Sequence, residues 1–238
     1  YRPVVLVSYA LNYAWGGYLP IVFHCTNVVL HLICSFLVWN VAQAVGLSAG
    51  RALFAGLFFA LHPLVTEPVN YVSSRSESLA ACFLLAAFRI RLLETAMAER
   101  ASLACFVCGL LSKSVVVVFP VLLFVRDVGV DGLSFSNAIL RRWKFWVATA
   151  LYLWVISATG FLGGSLEQPV RSWDVQFWTQ LKAIVKYVEL VSLPVSLNVE
   201  HQFFESRFFW EGAVIASLVF VVSALAFVLR NVNGESMF

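Results

Sequence analysis

The chain has 238 residues, of which 61% are hydrophobic and 12% charged, with a mean hydropathy of +0.86. Soluble domains average about 25% charged residues, so this composition excludes an ordinary water-soluble domain and points to a bilayer. The net charge of +3 is scattered, and its longest basic cluster, Arg141, Arg142 and Lys144, reads as a topology anchor, not a nucleic-acid surface.

The chain opens on a short apolar stretch, Val4 to Trp15, of a length that suits the membrane interface. Val22 to Val45 is the first full span, and Arg51 to Leu61 begins a second that stops at His62 and Pro63. Tyr71 to Leu93 is a third and ends in Arg89 and Arg91. Two shorter runs, Ala101 to Leu111 and Val115 to Val125, are separated by Ser112, Lys113 and Ser114. Asp127 to Asn137 is a polar connection, after which Phe145 to Leu162, Leu181 to Leu197 and Phe208 to Leu229 complete the series. The runs are continuously apolar, without the alternation of a membrane barrel, so the predicted fold class is all-α: a polytopic transmembrane helical bundle. One transmembrane domain over residues 1–238 is expected, as a segment of a longer chain.

Lysines and arginines collect on the cytoplasmic side of a membrane protein. Placing Arg51, Arg89, Arg91, Arg100, Arg126, Arg141, Arg142, Lys144 and Arg230 there forces a choice at Ala101 to Val125. Only a chain that doubles back puts both Arg100 and Arg126 on that side. Each arm would be about 18 Å long, less than the hydrocarbon core. Lys113 would then sit at the turn, below the outer surface, where an ammonium needs a partner or water. The outer face would receive His62 to Asn70, Gly163 to Trp178 and Asn198 to Trp210, with Trp173, Trp178 and Trp210 as an interfacial belt. Leu181 to Leu197 carries Lys182, Lys186 and Glu189 and reads either as a span or as an interfacial or re-entrant helix.

Four stretches could carry chemistry. His24, Asn27 and His31 recur at helical spacing, a polar stripe that suits helix packing or direct catalysis. His62, Glu67, Arg75 and Glu77 gather around two prolines, and an imidazole beside a carboxylate suits acid–base work, a divalent metal or a capped loop. Lys113, flanked by Ser112 and Ser114, suits a phosphate-binding point charge or a lysine reaching for the interface. Lys182 and Lys186 precede Leu193-Pro194 and the run to Glu200 and His201. The five cysteines lie in apolar runs, and the lone Cys105–Cys108 pair lacks a second pair of metal ligands, so all five read as packing.

Tyr1-Arg2-Pro3, Leu11-Asn12-Tyr13, Phe23-His24, Asn27, Leu30-His31, His62-Pro63 with Thr66-Glu67, Arg75-Ser76-Glu77, Leu111-Ser112-Lys113 and Leu193-Pro194 occur in this order. That order resembles the membrane region of the transmembrane and tetratricopeptide-repeat O-mannosyltransferase-like family. The resemblance implies a GT-C fold and transfer of a sugar from a polyprenyl-phosphate carrier to a protein hydroxyl, on the lumenal or periplasmic side. It implies a multi-pass protein of a bacterial inner membrane or the endoplasmic reticulum. It places the catalytic acids upstream of Tyr1 and tetratricopeptide repeats downstream. Under it, Lys113 with Lys182 or Lys186 neutralises the carrier phosphate, His62 and Glu67 orient the acceptor, and Arg75, His24 and His31 line the substrate site. The rival reading is a non-catalytic structural subunit packed against other membrane proteins.

Overall fold

A computed structural model describes residues 2–160, 172–195, 197 and 204–235, the last of these with side chains to residue 223. The chain divides into two units, Tyr1–Trp154 and Val155–Phe238. Among the described residues all regular structure is helical, as expected.

In the first unit α1 (Pro3–Gly16) and α2 (Pro20–Ala44) each begin on a proline, whose missing N–H and fixed φ suit a first helical position. α3 (Ala49–Leu61) stops where Pro63 holds His62 extended, at φ −70° and ψ 126°. A 3₁₀ turn (Pro63–Val65), the short α4 (Thr66–Asn70) and another 3₁₀ turn (Val72–Ser74) then lead into α5 (Arg75–Arg91). The expected span from Tyr71 therefore starts four residues later, because the Tyr71 backbone is extended and the chain turns before Arg75.

α6 (Ala96–Leu110) runs back along α5, its first turn capped by Thr95, whose hydroxyl accepts from the Ala98 N–H at 3.1 Å. The helix breaks at Leu111 to Lys113, and a 3₁₀ turn (Ser114–Val118) leads into α7 (Phe119–Gly129). The chain does double back here. Val116 and Phe119 return against Phe106 and Leu110 in a core that also holds Ala80, Ala87, Leu123 and Phe145. Phe106, Phe119 and Phe145 touch one another, with ring centroids 5.2 to 5.9 Å apart. α8 (Phe135–Arg141) occupies part of the expected polar connection, and α9 (Trp143–Ala158) follows at once.

Beside that core, large apolar side chains face outward and polar ones are buried. Leu11, Ile21, Leu32, Phe36, Phe54 and Leu61 are exposed, while Asn12, Asn27, Arg75, Ser102, Asp127 and Arg142 are buried. Among the described residues α2 alone is one helix long and apolar enough to cross a membrane, with a mean hydropathy of 2.0. Ala49–Leu61 and Pro63–Asn70, bent by 51° at their junction, pass only as a pair. The span expected from Tyr71 begins only after the turn at Tyr71 to Ser74, the break at Leu111 to Val118 is the expected one, and the span expected from Phe145 is the 16-residue α9, apolar but shorter.

In the second unit α10 (Trp173–Ser192) packs against α11 (Gly212–Glu235). α10 starts eight residues before the expected Leu181 and ends at Ser192, ahead of Pro194. The Ser206 N–H donates to the Thr179 hydroxyl at 3.1 Å, and Trp178 meets Phe209 at 6.2 Å.

Candidate functional site

The first turn of α5 carries three consecutive side chains that do different things. Arg75 points inward and is wholly buried. Its Nε donates to Asn27 Oδ1 at 2.8 Å, one Nη donates to Asn12 Oδ1, and the other donates to the Phe23 carbonyl at 2.9 Å. Its guanidinium lies over the Tyr9 ring, 4.6 Å from the centroid. Arg75 thus ties α1 and α2 to α5 through groups of the protein itself. Ser76 accepts from Arg2 Nη1 at 3.0 Å. Glu77, the third, reaches the turn after α6 and forms an ion pair with Lys113.

Lys113 is therefore the partnered cation its position demands. Its backbone is extended, at φ −159° and ψ 138°, which takes the side chain out of the helical path. Both members of the pair are partly exposed. Arg2 is near enough to repel the ammonium, and Glu67 near enough to attract it. The Glu67 carboxylate accepts from the Ser74 hydroxyl at 3.2 Å. Lys113, Glu77, Glu67, Arg2 and Ser76 thus make one polar end of the unit.

His24, His31 and His62 take separate places. His31 Nε2 donates to the Ala60 carbonyl at 3.0 Å and stacks on Phe59, which joins α2 to α3. His24 is half-buried in the second turn of α2. His62 Nδ1 accepts from the Leu64 N–H at 3.2 Å, an arrangement that caps the following turn, and its ring meets Phe58. Beside α2 runs an apolar groove of about 580 Å³, lined by Trp15, Leu19, Val22, Thr26 and Val29 among others. Thr26 links it to the buried hub, since its hydroxyl accepts from Asn12 Nδ2 at 2.7 Å.

Over about a third of its length, this chain resembles the protein O-mannosyl-transferases. Protein O-mannosyl-transferase Tmtc1 of Drosophila melanogaster is 39% identical over 87 residues, 36% of this chain and 10% of that protein. Protein O-mannosyl-transferase tmtc2 of Xenopus laevis is 39% identical over 85 residues, again 36% and 10% of the two chains. Protein O-mannosyl-transferase TMTC3 of Homo sapiens is 35% identical over 88 residues, 37% and 10%. The matched stretch thus spans a tenth of the length of these curated relatives. No protein-family model matches the chain. No solved structure matches it either.

The opposite end of α5 is charged as well. Seventeen residues of helix separate the two ends by about 25 Å. There Arg91, Arg126, Arg141 and Arg142 surround Glu94, Asp127 and Asp131. Arg141 and Arg142, expected as a bare topology anchor, are ion-paired, and Lys144 pairs with Glu99 at 2.8 Å. Their acids lie far away in sequence, so no local spacing announced them. Arg91 and Arg126 share an end, as the charge argument required.

Lys182 and Lys186 belong to the second unit. Lys182 Nζ donates to the Phe204 carbonyl and Lys186 Nζ to Glu189, both at 2.8 Å. Glu200 and His201 lie outside the described residues. Among the described residues no three His, Cys, Asp or Glu side chains gather to hold a metal ion, so no step is assigned to the divalent metal considered above.

Proposed function

We propose that this chain is the membrane part of a protein O-mannosyl-transferase. It passes a mannosyl group from a polyprenyl-phosphate carrier to a serine or threonine hydroxyl of a protein. The names of its relatives support the sugar and the protein acceptor. The inside-out distribution of polarity supports a multi-pass arrangement in the bilayer, with the 25 Å between the charged ends, about one hydrocarbon core, set across the membrane.

The single observation that carries the reading is the ion pair of Lys113 with Glu77 at the tip of the short hairpin. In the transfer the acceptor oxygen bonds to the anomeric carbon as the bond from that carbon to the phosphate oxygen breaks. The leaving phosphate keeps the bonding electrons, and its growing charge needs a fixed cation in a place poor in water. Lys113 supplies that cation, with Arg2 beside it. Glu67 and His62 serve the acceptor side, where the Glu67 carboxylate takes the proton that the acceptor hydroxyl gives up. The groove along α2 suits the apolar isoprenoid chain of the carrier.

The test is mannosyl transfer to a serine- and threonine-bearing peptide by the full-length protein in membranes. Lys113→Gln should lower the rate about 100-fold. A correctly folded variant with the unaltered rate would remove Lys113 from the reaction.

A further inference from the structure

The charged end formed by α5, α7, α8 and α9 holds an imbalance that its own residues do not resolve. Four guanidiniums, Arg91, Arg126, Arg141 and Arg142, face three carboxylates, Glu94, Asp127 and Asp131. The adjacent Lys144 and Glu99 cancel each other. One positive charge is left over in the cluster, and two of its four guanidiniums are buried: Arg91 is 6% exposed and Arg142 1%.

The hydrogen bonds leave the same deficit in the same place. Among the described residues, buried Arg91 Nε, Arg91 Nη1, Arg142 Nη1 and Trp146 Nε1 have no hydrogen-bond partner. All four are donors. Arg91 Nη1 approaches Glu94 Oε2 at 3.2 Å, an ion pair whose angle leaves the N–H without an aligned acceptor. The two arginines share that one carboxylate, since Arg142 Nη2 reaches Glu94 Oε1 at 3.5 Å. Trp146 follows Arg142 by one turn, its backbone N–H donating to the Arg142 carbonyl at 3.4 Å. The arginine donors therefore gather around Glu94, with Trp146 one turn into α9, where the positive end of the helix dipole adds to the attraction for negative charge.

A water molecule could accept two of these bonds, yet its own protons would then point among further donors. An anion accepts from all of them and cancels the surplus charge. The burial of both guanidiniums leaves no route for a lipid phosphate carrying its glycerol and chains. We propose that this end binds one small inorganic anion, of the size of chloride, between Arg91, Arg142 and Trp146. The bound anion fastens the last turn of α5 to the first turn of α9. The site is independent of the transferase reading.

The full-length protein, purified in detergent micelles, tests this directly. At equal ionic strength its unfolding midpoint should be about 3 °C higher in sodium chloride than in sodium gluconate, and Arg91→Met should remove that difference. A chloride effect that is absent, or that survives unchanged in a folded Arg91→Met variant, overturns the proposal. Should that variant fail to fold, crystals of the unaltered protein grown in sodium bromide give the answer. Anomalous scattering should place a bromide within hydrogen-bonding reach of Arg91 Nε and Trp146 Nε1. A peak that is missing, or water only at that position, overturns it equally.

Discussion

Asp127 and Arg142 form a two-point ion pair with both side chains buried, Arg142 Nε donating to Asp127 Oδ2 at 2.6 Å and Nη2 to Oδ1. The pair joins α7 to the entry of α9. Charges taken out of solvent are held only while each satisfies the other, so removing one is far worse than removing both.

Asp127→Asn should therefore cost about 3 to 5 kcal/mol by leaving Arg142 uncompensated. The double variant Asp127→Leu with Arg142→Met should recover most of that loss. Thermal unfolding of the three proteins in one detergent checks it. A double variant as unstable as the single one would contradict the prediction.

Glu94 accepts ion pairs from Arg91, Arg141 and Arg142 with its backbone at φ +55°, a conformation that side chains other than glycine rarely adopt. Burial alone would raise its carboxyl, but the three guanidiniums outweigh burial and hold it below its ordinary value of 4.5. A lowered folded value means that the stability Glu94 contributes is present above the unfolded value and is lost as pH falls through the folded one. Between about pH 5 and pH 3 the unaltered protein should lose more stability than Glu94→Gln. Parallel unfolding curves for the two across that window would contradict this.

Gly56 lets α2 and α3 touch. A Cβ there would lie 2.8 Å from Trp39 Cβ and 3.2 Å from the Ser35 carbonyl, neither of which can swing away. Gly56→Ala should cost about 1 to 3 kcal/mol. Gly50, on the same helix, has open space around it, so Gly50→Ala should gain up to about 1 kcal/mol. Unfolding midpoints that shift in the same direction for both would contradict the close approach.

The buried hub should demand arginine. Arg75→Lys keeps the charge but has one nitrogen where three donate to Asn12, Asn27 and Phe23. A loss of about 3 kcal/mol or more is expected, with α1 the first segment to open to proteolysis. An undiminished midpoint would show that the hub is not what holds α1.

Much of this was legible because periodicity and charge are local. The apolar length of α2, the stop at Pro63 and the turn around Lys113 are all written in short stretches. The need for a partner at Lys113 was legible too, from the cost of an ammonium between two short helices. Its identity was not, since Glu77 lies 36 residues away, on α5. Under the resemblance Arg75 lined the substrate site, yet two residues of helix, about 200°, separate it from Glu77 and turn it into the core, onto Asn12 and Asn27. Arg141 and Arg142 looked like free anchors for the same reason, since their acids come from other helices.

Under the proposed function, Lys113 is a phosphate site that Glu77 holds until a carrier arrives. Affinity of the full-length protein for a polyprenyl phosphate measures it most directly. Lys113→Gln should weaken binding about tenfold, while Glu77→Gln, which frees the ammonium of its internal counter-charge, should tighten it. Folded variants that both bind with unaltered affinity would contradict the account.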